Sequence, residues 1–223
     1  MAQSRTSPTG GYAKGRERRD RLVDATMKLV ARNGSRGTTL AQIAAEAEVS
    51  QAAVMYHFAT KDDLLKAALD KRDELESPDF EDVTIGLGVF DLIAGAVHQW
   101  GARPDAVGMH TVLVAENVGV DGPLRPRLRA RYERTVDQLA GILASGQADG
   151  RIRPDVDPQL KAIEVLAFLN GLETAWLLNP EAPVAQAATQ WAAHQKLSLA
   201  SGGRIGHAGT GNQEMTSPIR RSQ

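Results

Sequence analysis

The chain has 223 residues, of which 42% are apolar and 24% charged, and a formal net charge of −1. That is enough apolar material for one large domain, or for a small one joined to a medium one. With no cysteine, disulfides, thiolate metal sites and cysteine nucleophiles are excluded.

No apolar run approaches the roughly 18 residues that a membrane span needs. The opening MAQSRTSPTGGYAKGRERRD has no apolar stretch of the kind a secretory signal carries. A cytoplasmic protein is expected. The small net charge hides a polarity, with ten Lys or Arg against five Asp or Glu up to Lys61, and 16 against 22 beyond it. A basic end on a near-neutral chain is the electrostatic footprint of nucleic-acid binding. An ordinary solvated charge distribution is the alternative.

Residues 1–13, rich in Ser, Thr, Gly and Pro, are expected to be a disordered basic arm. A helix is predicted from about Lys14 to Arg32, with Leu22, Ala25, Thr26, Leu29 and Val30 on one face and Asn33-Gly34 as its stop. Leu40, Ile43, Ala44 and Ala47 form the stripe of a second, short helix, and Thr39 to Gln42 has capping-box spacing. Ser50 caps a third, Gln51 to His57. Thr60, with Asp63 three residues on, starts a fourth carrying Leu64, Leu65, Ala68 and Leu69.

Two short helices joined by a tight turn make a helix-turn-helix, a unit that places its second helix in the DNA major groove. Ile43, Ala44, Ala47, Val49 and Val54 lie where such helices must touch. Gln51, Ala52, Met55 and Tyr56 are left facing outward. Glu48 stands at the turn position where glycine is favoured, and a positive φ there would cost about 1 kcal/mol.

Beyond a polar joint at residues 76–82, helices are predicted over about Thr84–Arg103, Pro104–Glu116, Pro123–Ser145, Leu160–Leu178 (opened by Pro158) and Val184–Leu199 (opened by Pro183). Residues 201–223 are low in complexity and expected to be disordered. The expected fold class is all-α. A helix-turn-helix DNA-binding domain at 14–75 precedes a helical ligand-binding and dimerisation domain at 76–200.

The stretch TTLAQIAAEAEVSQAAVMYHFATKDDLL, with RRDRLVDATMKLVARNG before it, resembles the TetR/AcrR family of bacterial transcriptional regulators. The resemblance covers about Arg16 to Leu69 and continues weakly in VLVAENVG, GRIRPDVDP and FLNGLETAWLLNP. It implies an all-helical homodimer that represses transcription until a small molecule binds the C-terminal domain. Carried over by position, Tyr56, Lys61 and the helix starts near Thr38 and Thr39 would bind phosphate. Ser50 caps the helix that Gln51, Ala52 and Met55 use to face bases, and His57 would be a further backbone contact. Glutamine pairs with adenine, and Ala or Met can meet a thymine methyl. Phe58 is expected in the core.

Plainer readings stand beside these: Tyr56 as a packing tyrosine, Lys61 as a solvated helix-start lysine, Met55 as core filler. Arg5, Lys14, Arg16, Arg18, Arg19 and Arg21 could enter a minor groove or lie along phosphates. They could equally form a solvated face with Glu17 and Asp20.

For a pocket, polar groups on apolar helical faces are the candidates: His98, Trp100, His110, Glu116, Asn117, Tyr132, Asn170, Glu173 and Trp176, with Trp100, His110, Asn117, Tyr132 and Asn170 foremost. His98 and His110 have no carboxylate at ligand-like spacing, which argues against metal sensing. No cofactor is implied. The Leu160–Leu178 helix is apolar on more than one side, so Val165, Leu169, Leu172, Trp176 and Trp191 are candidates for a dimer interface.

An all-helical enzyme is the main rival, but no nucleotide loop, nucleophile elbow or E-x-x-H spacing appears. A helical regulator answering a protein partner, or activating transcription, is the other alternative.

Overall fold

The computed structural model describes residues 9–76 and 86–202. The arm up to residue 8 with Arg5, the joint from 77 to 85 and the tail from 203 lie outside the described residues. Nine α-helices follow in order: α1 (Thr9–Gly37), α2 (Leu40–Glu46), α3 (Gln51–His57), α4 (Lys61–Glu76), α5 (Val89–His98), α6 (Pro104–Asn117), α7 (Arg125–Ala148), α8 (Pro158–Leu178) and α9 (Val184–Leu199). Among the described residues no helix is long and apolar enough to cross a membrane.

The helix-turn-helix forms for the reasons its sequence suggests. The Thr39 hydroxyl accepts from Gln42 N–H at 3.2 Å while the Gln42 side chain accepts from Thr39 N–H at 2.8 Å, closing a capping box. Ser50 Oγ accepts from Ala53 N–H at 3.2 Å, and Thr60 and Asp63 repeat the reciprocal pattern at the start of α4. Each such cap contributes roughly 1 kcal/mol. Ile43, Ala44, Ala47, Val54 and Phe58 are buried, with half-buried Val49 packed against them. Glu48 carries φ 54°, the left-handed turn conformation that glycine would take more cheaply.

Four boundaries differ from the sequence prediction. The first helix begins at Thr9 rather than near Lys14. Gly10 and Gly11 suggested disorder, but a long helix, once nucleated, gains a hydrogen bond per residue added. Gly34 (φ 74°, ψ 167°) does break α1, yet the chain re-enters one more turn to Gly37. The predicted Thr84–Arg103 helix is divided, because α5 ends at His98 and Trp100–Ala102 tighten into a 3₁₀ turn. Arg103 precedes Pro104 and is held at φ −139°, ψ 49°, as the proline ring requires. Finally Pro126, not Pro123, occupies the first turn of α7.

Two cores organise the molecule, and α6 serves both. Ala106, Met109 and Leu113 of α6 join the core of α1–α4, while Val107 joins that of α5, α7, α8 and α9. A Cβ at Gly108 would stand 3.1 Å from the Ala31 Cβ, so the glycine lets α6 lie close on α1. Behind the second core, an antiparallel bridge pairs Ile152 with Ala200. Ser201 N–H donates to the Arg151 carbonyl at 3.0 Å, fastening the end of α9 to the loop before α8.

Candidate nucleic-acid interface and internal cavity

On α3, Val54 and the following Phe58 turn inward, which leaves Gln51, Ala52, Met55 and Tyr56 outward at helical spacing. Met55 is 52% exposed and Tyr56 85%, so neither is core filler. His57 is half-buried, its ring edge-on to Tyr56 with centroids 5.2 Å apart. Arg19 of α1 stacks over the Phe58 ring at 5.3 Å, while Lys14, Arg16, Arg18 and Arg21 are exposed on the same helix. The face is therefore polar, convex and rimmed with cations.

Thr38 does not belong to it. Its side chain is buried at 1% exposure, and its hydroxyl donates to the Gly34 carbonyl at 2.8 Å, closing the turn after the α1 break. A threonine needed for that turn cannot also offer its hydroxyl to a phosphate. Thr39 and Ser50 are exposed, with their hydroxyls engaged as caps. Lys61 is half-buried and donates to the Ser35 carbonyl.

The α1 break is tied to the rest of the chain by one carboxylate. Both oxygens of Glu116, near the end of α6, accept from Ser35 N–H at 3.1 Å. A Cβ on Gly34 would lie 2.6 Å from Glu116 Oε1, so only glycine leaves room for this contact.

A cavity of about 870 Å³ lies between α4, α5, α6, α7 and α8, within the ordinary size of small-molecule sites. Trp100, His110, Asn117, Tyr132 and Asn170 all line it. Asn117 has committed its Nδ2 to the Leu113 carbonyl at 2.8 Å. Glu173 lines it too. His98 instead is exposed and meets Thr189 Oγ1 at 3.1 Å, and Trp176 backs Trp100 with ring centroids 6.0 Å apart.

At the end nearest the helix-turn-helix the wall is charged and buried. The Arg72 guanidinium of α4 lies 3.6 Å from Glu173 Oε1, Thr111 Oγ1 donates to Glu173 Oε2 at 3.1 Å, and His110 Nδ1 stands 3.7 Å from that same oxygen. On the other side of α4, Asp73 pairs with Arg131 at 2.8 Å and with Arg127, which also reaches Asp70. Burial holds His110 below its usual range, assisted by the Arg72 charge and opposed by Glu173. For Glu173 burial works against ionisation, but His110, Arg72 and Thr111 together outweigh it and hold the carboxyl low. A neutral histidine beside an ionised, cation-paired carboxylate is the result.

Sequence reasoning missed Arg72, Arg103 and Arg131 as lining residues, since arginine on a helix reads as solvated. Arg72 did carry a signal, as it continues the inward stripe of Leu65, Ala68 and Leu69 at the same helical spacing.

The dimer candidates divide. Val165 is 1% exposed within its own body core and has nothing to offer a partner. It lies on the α8 face that its own domain covers, a distinction invisible in a helix apolar all round. Leu169, Leu172, Trp176 and Trp191 are half-buried against the same core, with Trp191 stacked on Phe168 at 4.3 Å. The outward apolar residues are instead Leu160, Ile163 and Leu178 on α8 and Leu197 on α9. Among the described residues, no group of three or more His, Asp or Glu is placed to hold a metal ion.

Residues 22–68 match the bacterial regulatory proteins of the tetR family, and residues 114–198 match the C-terminal domain of BetI-type transcriptional repressors. Together the two matches span more than half of the chain. The transcriptional regulator TtgR of Pseudomonas putida is 26% identical over 174 residues, 74% of this chain and 82% of its own. The crystal structure of a TetR-family transcriptional regulator from Rhodococcus sp. superposes with a TM-score of 0.68 at 26% identity, covering 83% of this chain and all of the other. NalD, the secondary repressor of the MexAB-OprM multidrug efflux pump in Pseudomonas aeruginosa, shares the fold with a TM-score of 0.65 at 21% identity, over 84% of this chain and 97% of its own.

Proposed function

Because this chain belongs to the tetR family of bacterial transcriptional regulators, we propose that it is a dimeric repressor whose hold on a palindromic operator is released by a small molecule. The observation that carries this reading is the placement of α4. That helix directly follows the exposed α3 face, and its Arg72 forms part of the cavity wall. A ligand that favours one position of α4 thereby favours one position of α3, which is the differential affinity that any ligand-driven switch needs.

On DNA, Gln51, Ala52 and Met55 read base edges while Tyr56, Lys61, Thr39 and His57 meet the backbone. Tyr56 fits this role by its exposure. Lys61 reaches a phosphate only by releasing the Ser35 carbonyl. The second copy joins through the outward stripe of α8 (Leu160, Ile163, Ala167, Gly171 and Leu178) and Leu197 of α9, whose apolar groups are exposed in the single chain. A twofold pair would read half-sites about one helical turn apart, or a multiple of it.

The test is a fluorescence-anisotropy titration of the full chain against DNA from beside its own coding region, at two salt concentrations. Nanomolar, sequence-selective and salt-dependent binding is expected. Tyr56→Ala should weaken it about tenfold, the size of one good contact, without moving the melting temperature. Binding that is weak and equal for every sequence would sink the proposal.

A further inference from the structure

The cavity wall has a chemical bias that narrows what it takes up. Five arginines line it, from three parts of the chain: Arg72 on α4, Arg103 before α6, and Arg125, Arg129 and Arg131 on α7. Glu173 is the one carboxylate among the described lining residues. Three of the arginines have carboxylate partners just outside the lining, Arg131 with Asp73, Arg125 with Asp121 and Arg129 with Glu133. Arg72 and Glu173 offset each other within it. Arg103 differs, since it donates to the Leu75 carbonyl, a neutral partner at the end of α4. The wall therefore keeps one positive charge in excess.

The same contacts argue against a cationic ligand. Such a ligand would need a carboxylate facing the cavity, and Glu173 already meets Arg72, Thr111 and His110. To capture it, a cation would have to displace a buried guanidinium, leaving that charge without its partner. An anion has no such contact to break at Arg103. Between low-dielectric walls an excess charge is felt more strongly than in open water, and a guanidinium matches the two oxygens of a carboxylate in a fork. The remaining wall is apolar, built from Leu92, Ile93, Val97, Leu139, Leu166 and Leu169.

We propose that the effector is an amphipathic organic acid, with Arg103 holding its carboxylate and the apolar wall its hydrocarbon or aromatic body. This rests on the reading of the cavity as the effector site. It adds a preference of charge that the family fold does not dictate.

The test uses the full chain with anilinonaphthalenesulfonate as a fluorescent occupant, displaced by decanoate, decanol or decylamine, which share one body and differ in head group. Decanoate should displace the dye at a concentration tenfold or more below the other two, since a hydrogen-bonded charge contributes about 1.5–3 kcal/mol. Arg103→Gln should remove most of that advantage and leave decanol unchanged, while Arg103→Lys keeps part of it. Arg129→Gln, exposed and paired with Glu133, should change the ratio far less.

Equal or better displacement by decanol or decylamine overturns the proposal, as does an unchanged ratio in Arg103→Gln, or no displacement by any of the three. Operator release, read in parallel, separates the two levels. Decylamine releasing DNA where decanoate does not would refute the acid and keep the sensor. Decanoate winning the cavity without moving DNA would uphold the acid preference and refute the sensor.

Discussion

The two ends of this molecule solve opposite packing problems. In the helix-turn-helix, two seven-residue helices have little to bury, so Val54, Ile43 and Leu64 are sealed to zero exposure and each helix start is capped. Near the cavity, long helices have apolar surface to spare. Trp100 stays buried at 7% exposure while lining an open volume, and charged groups stand where a core would be. The first region gains stability by filling its space, and the second leaves space unfilled and holds its wall with ion pairs. Structure that must present a rigid surface and structure that must admit a guest are thus told apart by where their voids are.

The sharpest way to break this contrast is to truncate one aromatic at each end. Phe58→Ala removes a ring from a filled core under α3 and should cost about 3–5 kcal/mol in chemical denaturation. Trp100→Ala only enlarges an existing void, and should cost clearly less than its larger side chain would in a sealed core. Equal losses would show that the cavity wall is packed as rigidly as the head. Glu116→Ala, next in size, leaves Ser35 N–H without its acceptor and should cost about 1–3 kcal/mol. If Glu116 joins the two ends, the variant should also bind operator more weakly than its stability alone explains, as read by anisotropy at a temperature where it is fully folded.

The smallest effect concerns acid. His110 is held below 6.5, so as pH falls through that value the unfolded chain gains a proton that the folded chain refuses. Stability must therefore decline on acidification. Glu173, held below 4.5 when folded, adds loss of the same sign at lower pH. His110→Gln should flatten the first part of that decline in denaturation series run from pH 7 downward. An unchanged slope would mean that the histidine protonates as freely inside as out.

The head was nearly all legible in the sequence because its determinants are local. Thr39 with Gln42, Ser50 before Gln51 and Thr60 with Asp63 act within one turn of backbone. Even the cost at Glu48 could be foreseen from its place in the turn. Thr38 was misplaced because its role depends on the break at Gly34, whose geometry is completed by Glu116 from 81 residues away. In the body, polar residues interrupting apolar faces located the cavity wall correctly for Trp100, His110, Asn117, Tyr132 and Asn170. What the pattern could not supply was partnership. Nothing local links Arg72 to Glu173 or separates Val165 from Ile163, because each depends on which neighbouring helix covers which face of α8.

The Trp100–Trp176 pair has a practical consequence. Two indoles with centroids 6.0 Å apart and planes inclined at 46° are close enough for their electronic transitions to couple, and one of them forms part of the cavity wall. Any guest that touches Trp100 alters the local polarity and the angle between the rings. The near-ultraviolet circular dichroism of the unmodified protein should then change with occupancy, so the chain carries its own optical gauge of whether the cavity is filled.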